Sequence, residues 1–159
     1  MPVTVQDAVD VLVDSVRAAL ELNELPVATL AAEAGVGLRL AIARGVRSVG
    51  GTVASLTAPT DADLATVPEA KELAMLDVAG LHWMRWLRAN WTVVTGAIDV
   101  LSDNYSDLLK SLNDAIAARE AEIRAVHGLA VGGVAPAGGV APRSGAMVDQ
   151  SCWRIPPSW

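Results

Sequence analysis

The chain has 159 residues and a formal net charge of −6, and 52% of its residues are hydrophobic while only 19% are charged. The length is that of one ordinary domain, and the acidic balance argues against a protein that grips nucleic-acid phosphates. Cys152 is the only cysteine, which excludes an internal disulfide and any multi-cysteine metal site. The apolar surplus predicts that part of the surface is buried between subunits.

The sequence contains no stretch typical of a membrane span or a secretion signal. Residues 125–142 form the longest uncharged stretch, but glycine and proline interrupt it, so it would not cross a bilayer as a helix. Acidic residues occupy the N-terminal region, where a signal peptide would be basic: Asp7, Asp10 and Asp14. We therefore expect synthesis in a cytoplasm and no contact with a membrane.

The first helix is predicted at the N-terminus. Thr4 resembles an N-cap, and apolar residues then recur at helical spacing as far as about Leu22. The residues from Asn23 to Pro26 are typical of a loop and would end the helix. The pattern therefore predicts one amphipathic helix before the first loop.

The second helical region contains several glycines. Residues 27–34 could form a short helix, which Gly35 and Gly37 would break or bend. Apolar residues then continue on one face until Gly50 and Gly51 stop the helix. Two helices or one kinked helix both agree with this face, which contains Leu38, Ile42, Gly45, Val46 and Val49.

The central helix is predicted from Thr66 to Thr95. A connector with room for one or two helical turns precedes it, and the sequence from Thr66 to Glu69 has the pattern of a capping box. At 100° per residue one broad face becomes core, with Trp86 at its edge. Its members are Leu73, Leu76, Gly80, Trp83, Leu87, Trp91 and Val94.

The opposite face of the central helix mixes apolar and charged residues. Such a face is too apolar for open water and too charged for the interior of a monomer. We therefore expect it to contact another subunit through Met75, Val78, His82, Arg85 and Arg88.

The last helix shows the most regular periodicity in the chain. Its apolar seam steps by four and three, and the short loop before it predicts an antiparallel return along the central helix. Glu120 and Arg124 are expected on its exposed side. The seam contains Tyr105, Leu109, Leu112, Ile116, Arg119, Ile123 and Val126.

The composition changes at Gly128. A GGVAP motif occurs at residues 132–136 and again at 138–142, which is typical of an extended or flexible segment. The final residues combine two tryptophans with a Pro-Pro pair, so we expect them to bind a partner as an extended peptide. Packing on the chain's own domain is the alternative. The expected partner-binding residues are Trp153, Arg154, Ile155, Pro156, Pro157 and Trp159.

No pattern in the sequence indicates catalysis. His82 and His127 are the only histidines, and neither has a partner at a metal-ligand spacing. The carboxylates form no pair in an apolar setting, and no phosphate-binding loop is present. We expect no enzyme activity, no metal and no cofactor.

A helical domain with a long central helix, an acidic last helix beginning DNYSDLLKSLNDAIAAREAEI and a Gly/Pro arm ending in aromatics resembles the head-to-tail adaptor (connector) proteins of tailed bacteriophages. The resemblance implies a ring of about a dozen copies beneath the portal protein, in contact with tail-side neck proteins. It also implies an arm that docks on the portal or a neighbouring subunit, and a channel through which DNA passes without sequence-specific binding.

The resulting expectation is an all-α protein with a four- to five-helix bundle, a long central helix and an extended C-terminal arm. Residues 1–127 would form the helical domain and residues 128–159 the arm. The expected function is a structural ring subunit in the virion neck, made in the host bacterial cytoplasm. The alternative is a soluble helical regulator or effector that binds a ligand or partner through Trp83, Trp86 and Trp91.

Overall fold

The computed structural model describes residues 3–20, 35–91 and 105–131. These residues are mostly helical and include no strand, which confirms the all-α prediction for this part of the chain. The elements in order are α1 (Val5–Ala19), α2 (Gly35–Ser48), α3 (Asp61–Leu64), a 3-10 turn (Glu69–Lys71), α4 (Glu72–Ala89) and α5 (Tyr105–His127).

Several sequence predictions lie outside the described residues. They are the short helix at 27–34, the end of the central helix with Val94, the caps at 102–104 and the arm from residue 132 onward. The choice between one kinked helix and two helices before residue 50 therefore stays open.

Helix α1 begins at the predicted cap. The Thr4 hydroxyl accepts a hydrogen bond from the Asp7 backbone N–H at 3.2 Å, and the Asp7 carboxylate accepts one from the Thr4 backbone N–H at 3.0 Å. This reciprocal pair satisfies two N–H groups that have no partner inside the helix. The helix ends at Ala19, and its buried face contains Ala8, Leu12, Val13 and Val16.

A second capping box starts α3, within the predicted turns of the connector. Asp63 is 8% exposed, and its carboxylate accepts hydrogen bonds from the backbone N–H groups of Thr60 at 2.8 Å and Ala54 at 3.1 Å. These bonds hold the pKa of the Asp63 carboxyl below its usual value. The carboxylate therefore ties the connector to the start of α3.

The predicted capping box at Thr66 and Glu69 is wrong. The Thr66 hydroxyl donates to the Asp63 carbonyl at 2.6 Å and accepts from the Thr52 backbone N–H at 2.9 Å, so it is already used by the connector. The chain instead enters the central helix through the 3-10 turn, where Pro68 is the N-cap without a side-chain hydrogen bond.

Helices α2 and α4 approach closely through glycines. A Cβ atom at Gly45 would lie 2.6 Å from the Met75 carbonyl oxygen, and one at Gly37 would overlap the Trp86 indole. The sequence predicted that Gly37 would break or bend the helix. Gly37 instead lies inside α2 and leaves room for α4. The expected stop is confirmed, because Gly50 follows the helix with a φ of 93°.

Helix α4 contacts α1, α2 and α5, so it is buried on several sides. The predicted core residues Trp83, Leu87 and Trp91 are buried, whereas Leu73 is 64% exposed and that part of the prediction is wrong. A helix that packs against three others has no single core face that its hydrophobic periodicity could identify.

Helix α5 uses most of its predicted seam. Leu112, Ile116 and Ile123 are buried, whereas Val126 is 66% exposed and does not belong to the seam. Gly128 follows α5 with a φ of 63°, at the predicted change in the chain. The packed body extends slightly further, because Leu129 lies against the core and Val131 is buried. Within the described ranges, no helix is both long and apolar enough to cross a membrane.

Candidate functional site

Charged side chains join α4 and α5 along their length. Arg85 Nη2 lies 2.6 Å from Glu120 Oε1, and Arg119 Nη1 lies 3.1 Å from Asp77 Oδ1. Arg88, late in α4, contacts Asn113, whereas Asp77, early in α4, contacts His127 at the end of α5, so the two helices run in opposite directions, as predicted. Glu120 therefore faces α4 and is not paired with Arg124 on an exposed surface.

Asp77 is the centre of this polar contact. Its Oδ1 accepts a hydrogen bond from Arg119, and its Oδ2 accepts one from His127 Nε2 at 2.8 Å. The exposed fractions of the Asp77 and His127 side chains are 16% and 13%. A carboxylate this buried is stabilised by two donors, so the three side chains fix the end of α5 against α4. We call Asp77, Arg119 and His127 the polar clasp.

A pocket of about 470 Å³ lies beside the polar clasp, where three parts of the chain meet. Lys71 lies at its edge and donates from Nζ to the Val49 backbone carbonyl at 3.1 Å, so its charge is held at the C-terminal end of α2. We call this the terminal pocket, and its walls include Ser48, Val49, Ala70, Lys71, His127 and Leu129.

The expected subunit interface is only partly available at the surface. Met75 and Val78 have no exposed surface, so their assignment to a subunit interface is wrong. Their side chains fill the chain's own core because α4 is packed on more than one side. Arg85 is engaged by Glu120, while Arg88 is exposed and makes a long contact of 3.5 Å to Asn113.

His82 lies partly buried near two arginines. Burial, together with the smaller effect of the Arg44 and Arg85 charges, lowers the pKa of His82 to about 4. The imidazole is therefore neutral at neutral pH. This environment favours a packing role for His82 over a role in recognising an acidic partner.

The tryptophan face of α4 is mostly interior. Trp83 is 1% exposed and Trp91 is 3% exposed, and the Trp83 ring stacks on Trp86 with centroids 5.4 Å apart. The Trp83 indole N–H is buried and has no hydrogen-bond acceptor among the described residues. A ligand could reach this face only if the core opened.

The polar clasp and the terminal pocket were not predicted from the sequence, although two signals were available. Arg119 interrupts an otherwise apolar seam, and Asp77 lies in an apolar stretch of α4. A charge at a core position requires a partner, so the two could have been paired. The pocket has no such signal because its walls come from three separate parts of the chain.

The arm residues proposed as partner-binding, Trp153 to Trp159, lie outside the described residues. Within the described ranges, His127 has no hydroxyl or thiol in hydrogen-bond contact, and no three His, Cys, Asp or Glu residues could hold a metal ion. No family model, curated protein or solved structure matches this chain.

Proposed function

We propose that this chain is a structural ring subunit of the head-to-tail connector of a tailed bacteriophage. About a dozen copies would form the ring, join the portal protein to the tail-side neck proteins and surround the DNA exit channel. The helices would pack as a four- to five-helix bundle around α4. The arm, residues 128–159, would dock on a neighbouring subunit or the portal.

The observation that carries this proposal is the way in which the helical body ends. Leu129 packs on the core and Val131 is 8% exposed, so the first arm residues are attached to the body. The sequence beyond them has two GGVAP repeats and then two tryptophans, a composition that buries little surface by itself. Large aromatic residues on such a segment favour binding to a second molecule.

Exposed apolar side chains supply further support for a subunit contact. A ring uses two different surfaces of each copy, because the contacts are head to tail. Leu73 on α4 and Val126 on α5 are 64% and 66% exposed, and they take the place that Met75 and Val78 held in the expected interface. Arg88, at the other end of α4, is also exposed and would supply a polar contact there.

The charge of the chain agrees with a channel for DNA. A net charge of −6 repels phosphates, so the wall of such a channel would let DNA slide without sequence-specific binding. The protein would be made in the cytoplasm of the host bacterium and would end in the virion neck.

The competing function is a soluble helical regulator or effector that uses Trp83, Trp86 and Trp91 to bind a ligand. The burial of Trp83 and Trp91 argues against it, because a ligand would have to displace core side chains. Only Trp86 among the three is partly exposed.

Negative-stain electron microscopy of the full chain tests the proposed function. We expect closed rings for the wild-type chain and far fewer rings for a Trp153→Ala, Trp159→Ala variant, because buried aromatic anchors commonly contribute more than about 2 kcal/mol each. Val134→Ala with Val140→Ala is the matched control, since it shortens apolar side chains in the same arm and should leave the rings intact. Single compact particles at every concentration would contradict the proposal.

A further inference from the structure

We propose that the terminal pocket of each copy receives residues 153–159 from the arm of a neighbouring copy. This inference rests on the proposed function and adds to it the site at which the arm docks. The pocket lies between α2, α4 and the end of α5. Residues 153–159 contain the two tryptophans that follow α5 in the sequence.

The walls of the terminal pocket suit an indole ring. Val49, Ala70 and Leu129 offer apolar surface, and a volume of about 470 Å³ is enough to enclose a large side chain. The Lys71 ammonium is held in place by the Val49 carbonyl. An ammonium at the edge of an apolar pocket attracts the face of an aromatic ring, and tryptophan has the strongest such attraction.

The position of the arm places its end within reach of this pocket. Leu129 lines the pocket and Val131 is buried, so the chain leaves the body beside the pocket rim. A glycine-rich segment as long as residues 132–152 has a root-mean-square span of roughly 25 Å. A compact body of this size has a radius of gyration of roughly 14 Å and hence a diameter of roughly 36 Å, which is the separation of equivalent pockets on adjacent copies. The segment reaches about 70 Å when fully extended, so it covers this distance in a partly extended form.

Charge also favours this pairing. From residue 132 onward the arm carries Arg143 and Arg154 against Asp149, so it is basic, whereas the chain as a whole has a net charge of −6. Attraction between a basic segment and an acidic chain favours docking of the arm on a second copy.

Two exposed apolar residues that adjoin lining residues in the sequence would extend the contact beyond the pocket. Leu73 precedes Ala74 and Val126 precedes His127, and both Ala74 and His127 line the pocket. The proline pair stiffens the end of the arm into an extended form with about 3.1 Å per residue, so Trp159 would lie outside a pocket that holds Trp153. We assign Trp159 to a contact with the exposed side chains of Leu73 and Val126.

Disulfide trapping tests the site, because Cys152 is the only native cysteine and adjoins Trp153. A chain carrying Ser48→Cys and Cys152→Ser is mixed with the wild-type chain under mild oxidation, so that a heterodimer can form only between copies. The matched control carries Ser111→Cys and Cys152→Ser, since both Ser48 and Ser111 are exposed serines on helices. We expect roughly tenfold more heterodimer for Ser48→Cys than for the control, as docking raises the effective concentration.

A second comparison separates docking from random collision. Trp153→Ala in the wild-type partner leaves Cys152 in place, so it should reduce the heterodimer to the level of the Ser111→Cys control. Equal yields for Ser48→Cys and Ser111→Cys would overturn the proposal. A chain with both Ser48→Cys and native Cys152 that closes only on itself would overturn the exchange between copies.

Imaging of the same samples distinguishes this proposal from the ring function. Rings without a pocket-specific heterodimer would overturn the terminal pocket as the docking site and leave the ring subunit intact. A pocket-specific heterodimer without rings would support the docking site and contradict the ring. The absence of both would overturn the two proposals together.

Discussion

Asp77 on α4 and His127 at the end of α5 are joined by a hydrogen bond of 2.8 Å across fifty positions of sequence. The second oxygen of the same carboxylate accepts from Arg119 at 3.1 Å. This polar clasp fixes the last turn of α5 at the wall of the terminal pocket, which His127 also lines. Asp77 therefore contributes both to the stability of the helical body and to the shape of the pocket wall.

The first prediction concerns that carboxylate. Asp77→Asn keeps the size of the side chain but removes the charge opposite Arg119 and His127, which are 25% and 13% exposed. We expect a loss of about 1–3 kcal/mol in the free energy of unfolding, because partly buried donors lose an ionised acceptor. Urea denaturation measures it. Asp114→Asn, on the exposed side of α5, should change the stability little, and equal effects of the two substitutions would contradict the assigned role.

The second prediction compares two glycines within helices. At Gly45 a Cβ would lie 2.6 Å from the Met75 carbonyl oxygen, whereas at Gly80 the nearest such atom is the Ser15 hydroxyl at 3.9 Å. Gly45→Ala should therefore destabilise the fold by about 1–3 kcal/mol, because backbone must move. Gly80→Ala should stabilise it by up to about 1 kcal/mol through helix propensity.

Thermal denaturation of the two alanine variants provides the comparison. The wild-type midpoint should lie between them. A stabilising Gly45→Ala would mean that α2 and α4 do not approach as closely as described.

The third prediction is a pH dependence of stability. The pKa of His82 falls from 6.5 to about 4 in the folded chain, so between these values the unfolded chain binds more protons. The free energy of unfolding should therefore be highest above pH 6.5 and should fall as the pH drops towards 4. His82→Gln removes this contribution and should give a smaller fall.

Arg44→Gln provides a directional check on this pH dependence. Removing the neighbouring positive charge should raise the pKa of His82 towards its ordinary value, so less stability should be lost on acidification. Urea midpoints across the same pH window measure the difference. Identical profiles for the wild-type chain and His82→Gln would show that the burial of His82 does not control this loss.

The sequence predicted those elements whose local pattern also determines their packing. Thr4 marks the start of α1, Gly50 follows the end of α2, and the seam residues Leu112, Ile116 and Ile123 of α5 are buried. Each of these is decided within a few neighbouring residues, by a cap, a positive φ or a regular spacing.

The sequence predictions that proved wrong concern contacts between distant parts of the chain. Met75 was expected at a subunit interface but is buried, whereas Leu73 was expected in the core but is exposed. Helices on several sides of α4 decide which of its faces is buried. Thr66 has the residue type of a cap, but Thr52 uses its hydroxyl. The terminal pocket depends on where three segments meet, which no spacing in the sequence encodes.

Native mass spectrometry of the 159-residue chain at increasing concentration tests whether it assembles into a ring. A structural ring subunit with an exchanged arm should give one closed assembly of about a dozen copies, and Trp153→Ala with Trp159→Ala should reduce it to single chains that keep their helical circular dichroism. A wild-type chain that remains a monomer at every concentration would contradict the assembly of a ring through the arm.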